Sequence, residues 1–181
     1  MGRISVSTMV SLDGVIGDPR SWAMEYLDEA AQADGAKRLL LSEAMLLGRN
    51  TYQSLAAAWN GRQGVFASRL EAIPKYVFSN TLSLAEWGNV SIVRGDPSIE
   101  ADRLRSSSSG NLTIFGHGRL TKTLIQAGLI DEIRLLIMPV LVGSGELIHV
   151  PAAMRRFELV QSTTLSNGVV ILVHRRTEER A

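Results

Sequence analysis

Ile4, Val6, Thr8 and Val10 occupy every second position near the start of the chain, the spacing that puts side chains on one face of a strand. Ser11-Leu12-Asp13-Gly14 breaks that alternation with turn-forming residues, so a strand running into a loop is predicted. Over residues 23–47 the alphabet changes to Ala, Leu, Glu, Met and Lys, interrupted at Asp34-Gly35. Two helical stretches are expected there, leading into a short buried strand at residues 45–47. Residues 51–59 are helical in composition, and residues 76–78, 90–93 and 112–115 read as short buried strands. After Gly118, Leu120, Leu124 and Ile125 share one helical face, and Gly128 stands where a left-handed C-terminal cap is expected. An apolar strand follows at residues 133–140. The chain closes with strands at residues 157–165 and 169–174, joined by Ser166-Asn167-Gly168, whose Asn-Gly pair signals a hairpin.

Strands alternating with helices and ending in a hairpin describe an α/β domain. Its central sheet is mostly parallel and flanked by helices, with an antiparallel hairpin at the C-terminal end. With 181 residues, 45% of them hydrophobic and 20% charged, one domain over residues 1–181 is expected. The serine-rich stretch 106–110 reads as a surface loop, Asp131-Glu132 as a solvated connection, and Arg175-Arg176 beside Glu178 and Glu179 as a solvated tail. Lys plus Arg total 19 against 18 for Asp plus Glu, which gives no field to attract nucleic acid or an anionic membrane. The absence of cysteine excludes disulfides and thiol catalysis. Without a leader-like segment or an apolar run approaching roughly 18 residues, a cytoplasmic location is the expectation. An antiparallel edge invites pairing, so a homodimer built through residues 133–140 and the closing hairpin is expected.

In open α/β sheets ligands bind outside the carboxyl ends of the strands, which draws attention to the turns after Leu47, Phe78 and Phe115. Gly116-His117-Gly118-Arg119 joins a strand to an amphipathic helix. Glycines there let backbone N–H groups approach an anion at the helix N-terminus; a tight turn also needs glycine for conformational reasons alone. Gly48-Arg49-Asn50-Thr51 opens another helix with free N–H groups, a guanidinium and a hydroxyl, and serves equally as a plain helix start. Ser79-Asn80-Thr81 offers small polar side chains suited to a ribose or its phosphate, or to a turn. Taken together, the three sites match a dinucleotide, whose phosphates and ribose extend over adjacent strand ends.

Competing motifs fail. Thr121 stands where both a P-loop and a G-x-G-x-x-G pattern require glycine. Gly143-Ser144-Gly145 lacks the spacing of a nucleophile elbow, and His117, His149 and His174 are not spaced as metal ligands, so no metal is expected. Candidate proton-transfer carboxylates are Asp13, Asp18, Asp28 and Asp34. Asp13 also suits a turn, and Asp28 lies six residues after Trp22 on the expected first helix.

The order and spacing of six segments resemble the dihydrofolate reductase superfamily over nearly the whole chain. They are Ser11-Leu12-Asp13-Gly14-Val15-Ile16-Gly17, Leu47-Gly48-Arg49-Asn50-Thr51-Tyr52, Val77-Phe78-Ser79-Asn80-Thr81, Phe115-Gly116-His117-Gly118-Arg119-Leu120, Gly128-Leu129-Ile130-Asp131-Glu132 and Pro139-Val140-Leu141-Val142-Gly143-Ser144-Gly145. Within that superfamily the chain is similar to the reductase domain of the riboflavin-biosynthesis deaminase-reductase. The resemblance implies a dihydrofolate reductase-like fold and an NADPH-dependent reductase of a small heterocycle, with 5-amino-6-(5-phosphoribosylamino)uracil as the leading substrate. Dihydrofolate reduction and non-catalytic ligand binding are the alternatives. It further implies that Gly48, Arg49, Asn50 and Thr51 hold the pyrophosphate region, with Gly116, His117, Gly118, Arg119 and Leu120 on its other side. Ser79, Asn80 and Thr81 would contact the 2′-phosphoribose, and Ile16 and Gly17 the nicotinamide. Asp13, Trp22 and Tyr52 are assigned to the substrate and Asp28 to proton relay. The helix carboxylate of dihydrofolate reductases has no counterpart by counting, which lands on Leu27 or Gln32. His117 replaces the second glycine of a Gly-Gly link that is often cis in the superfamily.

Overall fold

The alternation at the start of the chain becomes β1 (Arg3–Val10) in a computed structural model that describes residues 1–150 and 154–177. Two short 3-10 turns, Pro19–Ser21 and Met24–Tyr26, precede α1 (Glu29–Leu40). There follow β2 (Ser42–Gly48), α2 (Arg49–Trp59), α3 (Val65–Ala72), β3 (Lys75–Phe78) and β4 (Val90–Val93). The chain continues through α4 (Pro97–Ser107), β5 (Asn111–Phe115), α5 (Arg119–Gln126), β6 (Glu132–Ile137), β7 (Phe157–Thr164) and β8 (Val170–Arg176). The strands form one sheet in the order β4-β3-β2-β5-β1-β6-β8-β7. The first six are parallel to one another, while β8 runs antiparallel to both β6 and β7. This is the α/β architecture expected, with the antiparallel hairpin at the sheet's end.

Side-chain alternation sorts the core into two faces. Ala44 and Leu46 of β2 join Ile4, Val6, Leu112 and Ile114 under α4 and α5, which contribute Ala101, Leu104, Leu120 and Leu124. Met45 and Leu47 face the other way, onto Leu39 of α1, Tyr52 of α2 and Leu70 of α3. Buried on both faces, β2 reads as a continuous apolar run, as strands of covered parallel sheets do. A third cluster, Ala23, Leu136, Met138, Val169, Ile171 and Val173, packs beneath the hairpin.

Several local expectations are corrected. Asp34-Gly35 does not break α1. Gly35 lies where the helix meets α3, and a Cβ there would sit 3.0 Å from the Phe66 ring, so the glycine serves close packing. Asp34 pairs with Arg134, which is buried on β6 and also donates to the Ser7 hydroxyl at 3.0 Å. Residues 24–26 form a 3-10 turn, and α1 begins only after Asp28. Two helices lie outside the expected elements. Of these, α4 carries a legible start, Asp96 capping Ser98 and Ile99 with Pro97 behind it. The serine-rich stretch belongs partly to α4, and Ser108 is buried, donating to Glu43 at 2.6 Å. Expected as an interface, β6 is instead paired on both sides, and β7 is the open edge at its end of the sheet, with β4 at the other.

Asp131 and Glu132 are ion-pair hubs rather than a solvated connection. Asp131 accepts from the Ile4 amide at 2.9 Å and pairs with Arg176 at 3.1 Å and Arg105 at 3.6 Å, tying β1, β8 and α4 together. Glu132 pairs with Arg38 and, at 3.5 Å, with Arg175. Arg175 and Arg176 therefore lie in a paired strand, not a tail; Glu178 and Glu179 lie outside the described residues. Removing the Asp131 carboxylate leaves an amide and two guanidiniums short of a partner. Asp131→Ala is expected to cost on the order of 3 kcal/mol in urea unfolding, and Asp131→Asn less. An Asp131→Ala midpoint equal to that of the unmodified chain would contradict the hub.

Candidate functional site

Adjacent parallel strands discharge their loops at one edge of the sheet, and the three predicted turns meet there. Gly48 is extended and begins α2 without a side-chain cap, and a Cβ on it would lie 3.8 Å from that of Leu120 in α5. The first turns of α2 and α5 are thereby neighbours. Gly116 has φ +98°, a left-handed conformation that suits glycine, and its amide donates to Ser7 at 2.9 Å. A Cβ at Gly116 would come within 4.0 Å of the Thr51 hydroxyl. Thr121 turns back to donate to the Gly116 carbonyl at 2.9 Å. Gly118 begins α5, again without a side-chain cap. All described peptide bonds are trans, including Gly116–His117.

The turn after β3 is joined to the turn after β2 by Arg49, which donates to the Thr81 hydroxyl at 2.9 Å. The Ser79 hydroxyl accepts from the Thr81 and Leu82 amides, and the Asn80 side chain accepts from the Gly95 amide at 3.1 Å. Arg94 escaped the sequence reading. It follows β4 directly and donates to the Ser79 carbonyl at 2.6 Å and to the Leu82 carbonyl. Its signal was positional, a cation at the carboxyl end of the strand beside β3. Neither α2 nor α5 has an acid in its first turn, while Arg49, Arg94 and Arg119 are exposed. Uncapped helix N-termini with cations around them favour a phosphate-bearing ligand.

On the other side of Gly116, the loop after β1 is pinned against residue 146. The Ile16 and Gly17 amides donate to the Glu146 carbonyl at 2.8 and 3.2 Å, and a Cβ on Gly17 would meet the Glu146 amide at 3.0 Å. Asp13 holds the same loops together, accepting from the Ser11 hydroxyl at 2.5 Å and from the Gly143 and Val142 amides at 2.7 and 3.1 Å. Led by the Ser11 hydroxyl, these donors hold its carboxyl down at about 2. The geometry gives Asp13 a loop-fastening role. Trp22 donates its ring N–H to the Gly17 carbonyl at 2.9 Å and packs on the third cluster.

Tyr52, assigned to the substrate, sits differently from expectation. Tyr52 is buried, and its hydroxyl accepts from the Trp87 amide at 2.9 Å, ahead of β4. It belongs to the apolar face Tyr52, Leu55, Ala56 and Trp59 that α2 lays on the sheet, so it is turned into the core rather than toward substrate. Asp28 is the N-cap of α1, accepting from the Ala31 amide at 2.9 Å and from the Asn167 side chain at 2.9 Å. It borders an open recess of about 410 Å³ with Glu29, Ala30, Ala33 and Ser166.

His117 is 6% exposed, and neither ring nitrogen has a hydrogen-bond partner among the described residues. Burial pushes its pKa down to about 4, assisted by Lys122 and opposed by Glu146. The unfolded chain therefore binds a proton near pH 6.5 that the folded chain refuses until about pH 4, so stability falls as pH drops through that window. The loss is expected to reach on the order of 3 kcal/mol. Urea unfolding of His117→Gln should lack this slope; parallel pH profiles for the two chains would contradict the burial argument.

The RibD C-terminal domain family matches residues 3–171. Over 102 residues the chain is 34% identical to the uncharacterized protein YyaP of Bacillus subtilis (strain 168), a match covering 55% of this chain and 53% of that one. The chain thus matches about half the length of this curated relative. A candidate riboflavin biosynthesis protein of Shewanella sp. PV-4 shares the fold with a TM-score of 0.77 at 20% identity, over 97% of this chain and 99% of that chain. The diaminohydroxyphosphoribosylaminopyrimidine deaminase/5-amino-6-(5-phosphoribosylamino)uracil reductase of Thermotoga maritima does so with a TM-score of 0.65 at 15% identity, over 97% of this chain and 57% of that chain. With its family match spanning nearly the whole sheet, the chain belongs to the RibD C-terminal domain family, a family of reductase domains.

Proposed function

We propose that the protein is an NADPH-dependent reductase of a small heterocycle, with 5-amino-6-(5-phosphoribosylamino)uracil as its substrate. One observation carries the reading: the turns after β2, β3 and β5 adjoin at one edge, joined through Arg49 and Thr81, with two uncapped helix starts and no acid in either first turn. The residues present fit the cofactor. Gly48, Arg49, Asn50 and Thr51 and the segment from Gly116 to Leu120 would hold its diphosphate, and Ser79, Asn80 and Thr81 its 2′-phosphoribose. The guanidinium of Arg94 beside Ser79 supplies the charge that a 2′-phosphate calls for.

When bound, the cofactor supplies a hydride for an acceptor C=N or C=O. The protein's own residues orient and enclose the reactants. Ile16 and Gly17, fixed on the Glu146 carbonyl, form a rigid wall for the nicotinamide, and Trp22 is locked to that wall through Gly17. Proton relay is assigned to Asp28, whose Oδ1 caps α1 and whose Oδ2, beside the open recess and Asn167, would take up a proton from solvent and pass it to the reduced acceptor.

The test is consumption of NADPH with the aminouracil phosphoribosyl compound, followed by loss of reduced-nicotinamide absorbance. Turnover is expected, and Arg94→Ala should raise the KM for NADPH by about tenfold while leaving that for NADH unchanged. Absence of turnover with both this substrate and dihydrofolate, despite bound NADPH, would transfer the reading to ligand binding without chemistry.

A further inference from the structure

A buried side chain with two unpartnered polar atoms is rare, because each such atom forfeits its hydrogen bonds to water without replacement. His117 is one. Its ring nitrogens are both excluded from solvent and find no hydrogen-bond partner among the described residues. The position is not generic core. His117 lies between Gly116, with its left-handed backbone, and Gly118, where α5 begins, and the helix starts of α2 and α5 adjoin there.

The charged groups that act on the ring are Lys122, one turn into α5, and Glu146, on the loop across from it. They are paired with each other at 2.6 Å. The Glu146 side chain is 56% exposed and that of Lys122 only 24%. A mostly solvated carboxylate thus neutralises an ammonium in the first turn of α5, the arrangement expected of an anion site filled by an internal anion. The Glu146 backbone is committed separately, through its carbonyl, to Ile16 and Gly17, so its side chain is free to leave without disturbing that loop.

We propose that the His117 ring and the Lys122 ammonium form a side-chain clamp for the diphosphate of a bound dinucleotide, and that the Glu146 carboxylate is the internal competitor which the diphosphate displaces. The proposal rests on the nucleotide reading and adds to it a site of stated chemistry. The ring donates an N–H to a phosphate oxygen and so gains the partner it lacks. Lys122 exchanges a carboxylate for a phosphate oxygen, the α5 amides supply the remaining donors, and no covalent bond changes.

The signature is a pair of opposite effects. Inorganic pyrophosphate, NADPH and 2′-AMP are titrated by calorimetry into the full chain and into His117→Phe and Glu146→Gln. His117→Phe should weaken pyrophosphate and NADPH about tenfold or more, Glu146→Gln should tighten both several-fold, and 2′-AMP should bind all three chains alike. Equal pyrophosphate affinity in all three chains overturns the clamp. If His117→Phe does not fold, imidazole nitrogen resonances of the unmodified chain decide. The chain has three histidines, and pyrophosphate should move the His117 ring signal alone; an unmoved His117 signal at saturation overturns the proposal. A chain that binds neither NADPH nor 2′-AMP brings down the nucleotide reading and the clamp together, whereas unchanged NADPH binding across the variants brings down only the clamp.

Discussion

The insertion of β1 between β5 and β6 is the pairing on which the remaining geometry depends. The first strand of the chain becomes an interior strand by pairing with segments more than a hundred residues away, Ser7 opposite Phe115 on one side and Arg134 on the other. Its Ile4 and Val6 are fully buried, and the Ile4 amide is claimed by the Asp131 carboxylate. Because β1 and β5 are parallel and in this register, the Gly116 amide meets the Ser7 carbonyl and the turn after β5 lies beside the loop after β1. Burial of both faces fixes the register, since a slip of one residue would exchange the alternating apolar sets.

From that alignment the electrostatics of the edge follow. Parallel strands feeding helices bring helix N-termini to one side, each with unsatisfied amides and a positive dipole end. Glycine at positions 48 and 116 lets two such starts approach each other, and the arginines after β2 and β4 tie the next turn to them through Thr81 and Ser79. Across the turn, Asp13 and the Glu146 carbonyl hold the opposing loops rigid. The edge is therefore rigid in backbone and rich in donors, with the Glu146 side chain as the acid paired within it.

Periodicity and turn chemistry made the sheet legible. The alternation of Ile4, Val6, Thr8 and Val10, the apolar stripe of α5 and the Asn167-Gly168 turn are local signals whose structural meaning is set within a few residues. What escaped depends on partners remote in sequence. Gly35 looks like a helix breaker until Phe66 packs against it, and Asp131 looks solvated until Arg105 and Arg176 arrive from other elements. The site divides in the same way. The three strand-end turns are visible as glycine and small polar residues after apolar runs, whereas the direction of Tyr52 is set by the packing of the α2 face on the sheet. Arg94 and Glu146 became visible only once strand order and loop contacts were fixed.

The central claim is that a phosphate-rich dinucleotide lies along the carboxyl ends of β1, β5, β2 and β3. A crystal structure of the protein grown with saturating NADPH tests this most directly. The account predicts continuous density with the diphosphate between the Gly48 and Gly116 turns and the 2′-phosphate at Ser79 and Arg94. Density confined to the recess beside Asp28, or to the amino ends of the strands, would contradict it.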